Sequence, residues 1–348
     1  MDNRTEARAG YVGTPVLAKT ALVTGGTGQD GSYLIDLLSS KGYVVHLQSR
    51  RRPERESHKQ AIQWHTGDLT DPAFLETLIS SIRPDEIYNL AAISRPTLSW
   101  NIPSQTAQLN AIVPLQICEL IRKHSPASRL FQASSSEIFG NSSERTQNEA
   151  TRCDPISPYG IAKHYAHRII GAYRERYGLH LASGIMFNHE SPLRPLPYVS
   201  QKIAHAAAAL SLGMSETAEK DERDQPIVSG GKLTLGGLDV RRDFGFAGDV
   251  VDAMHAILQT DVPDDYVIGT GENHSIAEFC EIAFSTVGLD WKRYVVVDSA
   301  LVRRSDMMTC ADPSKLRAKL GWHPKLSFAE LVALMVNRRI EAISRPRA

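Results

Sequence analysis

The 348-residue chain carries 39 lysines and arginines against 39 aspartates and glutamates, a formal net charge of zero at neutral pH. That length suffices for one large domain, or one domain and a smaller lobe, around a substantial core. The charge balance excludes a global field that would draw in nucleic acid or a membrane surface, so any anion must be held locally.

In chain order, residues 1–18 are polar and aperiodic and read as a loose tail. Apolar strand candidates then alternate with amphipathic helix candidates: "TALVTGG", a helix over "DGSYLIDLLSSKG", "YVVHLQSR", then the strands "DEIYNLAA", "RLFQASSSEIF" and "HLASGIMFN", with helical patterns around 104–123 and 158–177 between them. This is the pattern of an α/β chain with a doubly wound parallel sheet. From about residue 190 the alternation fails: "HESPLRPLPYVSQ" is proline-rich and "MSETAEKDERDQPIVSGG" reads as a charged, exposed insertion. "KLTLGG", "YVIGTG" and a closing helix "SFAELVALMVNRRIEAI" follow. The expected division is a nucleotide domain over 19–190, with segments returning near 233–270, and a smaller substrate-binding lobe over 191–345. Cys118, Cys153, Cys280 and Cys310 lack metal-ligand spacing and read as reduced thiols. Without a bilayer-length apolar run or an apolar signal core, the expectation is a soluble, cytoplasmic protein with no metal and no membrane or nucleic-acid partner.

"TALVTGGTGQDGSYL" sets Gly25, Gly28 and Gly31 between a strand and a helix. Glycine there allows a tight turn, close approach of backbone to a pyrophosphate, and close packing of the helix start. The spacing G-x-x-G-x-x-G resembles that of the extended short-chain dehydrogenase/reductase superfamily. The second strand ends in "SRRRP", where an acidic residue would suit NAD; Arg50 and Arg51 suit a 2′-phosphate instead, which favours NADP. Asp68 in "TGDLTD" is placed to bind the adenine amine, or to cap a helix.

"SPYGIAKHYA" puts Tyr159 and Lys163 one helical turn apart. An ammonium beside the phenol would favour the phenolate, making Tyr159 a base near neutral pH. Ser135 on the neighbouring strand end completes a Ser/Tyr/Lys set for removing a proton from an alcohol. Glu137, two residues on, is costly at a buried strand end unless it is hydrogen-bonded or employed. Alcohol oxidation or epimerisation through the triad has no need of it. A dehydratase does, because a ketone at carbon 4 of a hexose acidifies the proton on carbon 5, and the hydroxyl on carbon 6 needs a proton to leave.

From about residue 19 to 340 the sequence resembles the GDP-mannose 4,6-dehydratase family. The motifs "ALVTGGTGQDGSYL", "GDLTD", "ASSSEIFG", "SPYGIAK", "FNHESP", "LGGLDVRRDFGFAGD" and "DPSKLRAKLGWHPKLSF" fall in that family's order and spacing. The resemblance implies a Rossmann-type sheet and a redox-neutral cycle. Tyr159 would take the O4 proton while hydride leaves carbon 4 for NADP, Glu137 would drive loss of water across carbons 5 and 6, and the hydride would return to carbon 6. It also implies cofactor contacts from Gln29, Asp30, Leu69, Leu90 and Ala91, beside the glycines, Arg50, Arg51, Asp68, Tyr159 and Lys163. For the sugar nucleotide it implies Ser94, Ser136, Asn188, Glu190, Lys202, Arg242 and Arg303, the two arginines as diphosphate or ribose clamps.

Four features depart from that pattern. Ile93 and Arg95 stand where the family carries a Gln and a His, Gly237 where it carries an Asn, Ser135 where it carries a Thr, and the loop after the second strand is short. A different GDP-sugar, such as a GDP-heptose, therefore stays open as substrate, and a dimer stays open beside a tetramer. A reductase or epimerase on the same scaffold, or a non-catalytic NADP-binding regulator, would leave Glu137 without a use. The helices near 104–123 and 158–177 carry apolar residues beyond one core face, which suggests a helix-helix seam between two copies.

Overall fold

The computed structural model describes residues 18–52, 62–301 and 310–345. The first half is built from β1 (Thr20–Thr24), α1 (Gln29–Ser40), β2 (Val44–Ser49), β3 (Gln63–Thr66), α2 (Pro72–Ile82), β4 (Glu86–Asn89), α3 (Pro96–Ser99), α4 (Pro103–Ala107), α5 (Val113–His124), β5 (Arg129–Ala133), α6 (Pro158–Tyr177) and β6 (Leu181–Met186). β1, β4, β5 and β6 are buried along nearly their whole length, and buried polar residues at their ends are hydrogen-bonded: Thr24 Oγ1 donates to Asn89 Oδ1, Asn89 Nδ2 to Gln132 Oε1, and Tyr88 Oη to Glu86. Cap chemistry sets several helix ends. Asp71 accepts from the Ala73 amide ahead of α2, Ser157 accepts from Gly160 ahead of α6, and each is followed by a proline whose missing amide costs the first turn nothing.

The second half contributes β7 (Asn188–Glu190), α7 (Val199–Ser211), β8 (Leu233–Leu235), β9 (Arg241–Arg242), β10 (Phe244–Phe246), α8 (Ala247–Leu258), β11 (Asp265–Ile268), β12 (His274–Ser275), α9 (Ile276–Ser285), β13 (Val295–Val297), α10 (Ser314–Leu320) and α11 (Phe328–Ser344). Among the described residues the main sheet has seven strands in the order β11-β6-β5-β4-β1-β2-β3, every pair parallel. Strand order reverses between β1 and β4, where ligands of doubly wound sheets bind. One face is covered by α1 and α8, through Leu34, Ile35, Val250, Met254 and Ile257. The other is covered by α2, α5 and α6, through Leu75, Ile79, Ile117, Ile121 and Ile170. A separate core of Ile203, Phe279, Phe284, Leu331 and Met335 joins α7, α9 and α11. The chain thus returns to the main sheet with α8 and β11, while β8 pairs with β13 beside the second core.

Two segments differ from the sequence reading. The helix expected over 104–123 breaks into α4, a π-turn at Gln108–Ile112, and α5. Pro114 lacks an amide and its ring crowds the carbonyl one turn back, so the ladder widens just before it. The charged stretch 214–231 is not simply an exposed insertion. Ile227 and Val228 are buried, and backbone bonds Thr217 to Val228, Ile227 to Glu219 and Asp221 to Gln225 fold it into a hairpin against α7. All four cysteines are free thiols, and no helix among the described residues is long and apolar enough to cross a membrane.

Candidate active site

The cradle forms where β1 and β4 diverge. Gly25 has φ +65°, and a Cβ there would lie 2.7 Å from the Cα of Ala91, so the turns after the two strands all but touch. A Cβ on Gly31 would lie 2.4 Å from the Cα of Gly26 and 2.5 Å from its carbonyl oxygen, so α1 can start this close to the turn only with glycine. Gly28 occupies the N-cap without a side-chain cap, leaving the first amides of α1 to be satisfied from outside the helix. Such a cradle fits a dinucleotide pyrophosphate. Arg50 and Arg51 are exposed just beyond β2. Asp68 does not cap α2. That role falls to Asp71, while Asp68 accepts from the amide and hydroxyl of Thr70, which hold its carboxyl below the usual range. Leu69 is buried, and Leu90 and Ala91 are half-buried on the strand ends facing the cradle.

Gln29 and Asp30 do more than was read from the sequence. Gln29 Nε2 donates to the His189 carbonyl, and Gln29 Oε1 accepts from Ser191 Oγ at 2.8 Å. His189 Nε2 lies 3.0 Å from Asp30 Oδ2, while its Nδ1 donates to the Phe187 carbonyl at 2.7 Å. Burial disfavours both charges, but each offsets that for the other, so His189 is raised and Asp30 lowered. The start of α1 is thereby fastened to "NHES", the segment that leads into the second core.

At the chemical end, β5 stops at Ala133, and Ser135 caps a single turn over Ser136–Ile138, accepting from the Glu137 amide. That turn carries Glu137 back toward α6: a Cβ on Gly160 would lie 2.6 Å from the Glu137 carbonyl oxygen. Glu137 is half-buried, and Tyr159 is held at the start of α6, where its amide bonds Ser99 Oγ. Burial pushes the Tyr159 phenol up; a bond with Ser135 opposes this, Glu137 and Tyr198 reinforce it, and Arg194 opposes it. Lys163, expected to favour the phenolate, lies on the same helix one turn along. Lys163 Nζ donates to the Ala133 carbonyl at 2.7 Å and sits 5.9 Å from the Tyr159 ring centroid, and its own burial lowers it to about 8. After burial, Ser135, Glu137, Tyr198 and Arg194 bear on the phenol in that order.

The sequence model of the family described as GDP-mannose 4,6 dehydratase matches residues 22–335. The chain is 40% identical to GDP-mannose 4,6 dehydratase 1 of Arabidopsis thaliana, over 94% of this chain and 92% of that one. It is 39% identical to GDP-mannose 4,6-dehydratase of Sinorhizobium fredii, over 91% and 95% respectively. The chain belongs to the GDP-mannose 4,6-dehydratase family. Among solved structures, UDP-glucose 4-epimerase of Thermotoga maritima superposes with a TM-score of 0.79 at 23% identity, covering 93% of this chain and all of that one, a likeness of fold.

For a member of the GDP-mannose 4,6-dehydratase family, the residues expected to meet the sugar nucleotide are only partly gathered. Asn188 is half-buried on β7, paired in register with Phe244. Glu190 is buried and engaged: Ser200 Oγ donates to its Oε2 at 2.6 Å, and Arg194 Nε lies 3.3 Å from the same oxygen. Lys202 pairs with Glu222 of the hairpin at 3.1 Å. Arg242 is half-buried on β9 and donates to the Arg241 carbonyl, whereas Arg241 is committed to Asn273 and Glu278. Arg303 lies outside the described residues. Sequence reading missed His189, Arg194 and Tyr198. The available signal was an arginine set between prolines in "PLRPLPY", four residues after a carboxylate it can reach.

Proposed function

We propose that this chain catalyses NADP-dependent 4,6-dehydration of GDP-mannose to GDP-4-dehydro-6-deoxy-mannose, a hydro-lyase reaction. The observation that carries it is Glu137, turned back beside Ser135 and Tyr159 at the end of β5, where a plain alcohol dehydrogenase needs no carboxylate. Bound NADP supplies the hydride acceptor, a positive charge, and the return of the same hydride to carbon 6. Tyr159, whose phenolate the positive nicotinamide and the Lys163 ammonium would favour, accepts the O4 proton beside Ser135, and Lys163 also donates to the Ala133 carbonyl. Glu137 then takes the proton from carbon 5 and protonates the hydroxyl leaving carbon 6 as water. Once hydride has returned to carbon 6, carbon 5 regains a proton from Tyr159 or solvent, so the net change is loss of one water. Arg50 and Arg51 neutralise the 2′-phosphate, and Lys202 and Arg242 serve the GDP moiety.

The working form is an oligomer in the cytoplasm, at least a dimer. Ile161 and Tyr165, one turn apart on α6, are 56% and 41% exposed, and a matching face of α5 and α6 in a second copy would cover them. The decisive experiment incubates purified, NADP-loaded protein with GDP-mannose and no reductant. A product lighter by one water, with no net NADPH formed, supports dehydration. An unchanged GDP-mannose mass with NADP bound rejects it, and a panel of other GDP-hexoses then tests the second reading that Ile93 and Arg95 favour.

A further inference from the structure

Carbon 1 of the bound sugar carries the nucleotide, and carbons 4, 5 and 6 undergo the chemistry. On the reading above, only the hydroxyls on carbons 2 and 3 remain for telling one hexose from another. The groups expected from the sequence to do the chemistry, Ser135, Glu137 and Tyr159, do not read those two. Close enough to Tyr159 for one of them to act on its charge lies a pair of hydroxyls supplied by different halves of the chain. Ser94 Oγ, on the loop leaving β4, is 3.0 Å from Tyr198 Oη, on the residue that opens α7.

Both partners are held from behind. The Ile93 amide donates to Asn110 Oδ1 at 2.9 Å and Asn110 Nδ2 donates to the Ile93 carbonyl at 3.0 Å, so the π-turn at 108–112 fixes the loop one residue before Ser94. The Tyr198 ring lies under the Arg194 guanidinium, 3.7 Å from Cζ to the ring centroid, and Arg194 is itself tied to buried Glu190. Tyr198 follows Pro195 and Pro197, which stiffen its approach. Its phenol is near enough to Tyr159 to bear on that residue's ionisation. Ser94 is exposed and Tyr198 half-buried, so the pair is accessible to a ligand.

We propose that Ser94 and Tyr198 form the reader of the hexose 2,3-diol and that Tyr198 is a specificity-determining residue of the site. Two hydroxyls already bonded to each other retain one further donor and free acceptor lone pairs, and their spacing is close to that of two vicinal sugar hydroxyls. A sugar diol can therefore join the pair without breaking a preorganised arrangement, and a hexose lacking one hydroxyl leaves a polar group unsatisfied. This also gives the unusual loop a function: Ile93 is an anchor through its backbone, and the residue beside it does the reading.

The test is calorimetric, on NADP-loaded wild type and Tyr198→Phe, with GDP, GDP-mannose and its 2-deoxy and 3-deoxy analogues. The expected result is binding of GDP-mannose weakened about five- to tenfold, the usual effect of one lost hydrogen bond, with GDP binding unaltered. One deoxy analogue should bind wild type and variant alike, because the hydroxyl that Tyr198 addresses is already gone. Equal weakening for GDP and all three sugars, or no weakening for GDP-mannose, overturns the proposal. Ser94→Ala should reproduce the pattern and decides the matter if Tyr198→Phe fails to fold. Binding is read without turnover, so a wild type that binds GDP-mannose but does not dehydrate it would refute the assigned reaction while leaving the reader standing. A wild type that binds GDP but no GDP-mannose would overturn both.

Discussion

Gly28 and Gly31 belong to one motif, yet the structure gives them different work, and alanine separates the two. At Gly31 an added Cβ would meet Gly26 backbone at 2.4, 2.5 and 2.6 Å, atoms that no side-chain rotation can move. Restoring ordinary contact requires α1 to retreat by roughly 1 Å from the turn, against the packing of Leu34, Ile35 and Leu38. Overpacking of this kind costs about 1–3 kcal/mol. The retreat also disturbs the Gln29 and Asp30 contacts to "NHES". At Gly28 the backbone has φ −79° and ψ 177°, open to any residue, and an added Cβ would find only the Gly25 carbonyl oxygen, at 3.4 Å. Gly28→Ala should therefore keep the thermal midpoint of the ligand-free protein within a degree or so, yet weaken NADP by about tenfold or more, since the methyl group occupies the pyrophosphate's approach. Gly31→Ala should lose several degrees before any ligand is added. Scanning fluorimetry with and without NADP, together with a titration of NADP binding, reads both. Wild-type NADP affinity in Gly28→Ala would refute the placement of the pyrophosphate, and an unshifted midpoint in Gly31→Ala would refute the packing.

Two further outcomes are expected. Freeing Lys202 by Glu222→Gln should tighten GDP binding up to about fivefold, the range for a partly exposed ion pair; unchanged or weaker GDP binding would mean that Lys202 serves the hairpin and not the nucleotide. His205, 1% exposed on α7, is lowered to about 4, by burial first and the Arg339 charge second, with Glu219 opposing. Its neutral ring contributes stability that is complete above about pH 6.5 and lost as pH falls toward 4, about 3 kcal/mol over that window. His205→Gln should flatten the fall in thermal midpoint between those pH values, and an identical fall in both proteins would count against it.

Strand and helix order was legible because the buried strands carry apolar centres such as Ala21–Val23 and Leu130–Phe131 and the helices show a periodic face. The glycine cradle and the Tyr159 helix were legible because turn geometry and caps leave direct marks on sequence. What escaped depended on long-range approach. Nothing local marks Asp30 as a partner of His189, 159 residues away, or Ser94 as a partner of Tyr198, 104 residues away. The π-turn could have been suspected from Pro114, but not its consequence, an Asn110 side chain gripping Ile93. Lys163 was legible from its spacing to Tyr159, but its bond to the Ala133 carbonyl, 30 residues away, was not.

The defining claim is that one hydride leaves carbon 4 of the hexose and returns to carbon 6 of the same molecule within one site. GDP-mannose carrying deuterium at carbon 4, turned over by the NADP-loaded protein in ordinary water and examined by mass spectrometry and NMR, tests it directly. Product that retains the label, now in the methyl group at carbon 6, is the predicted result. Product with deuterium still at carbon 4, or label released into free NADPH, would contradict it.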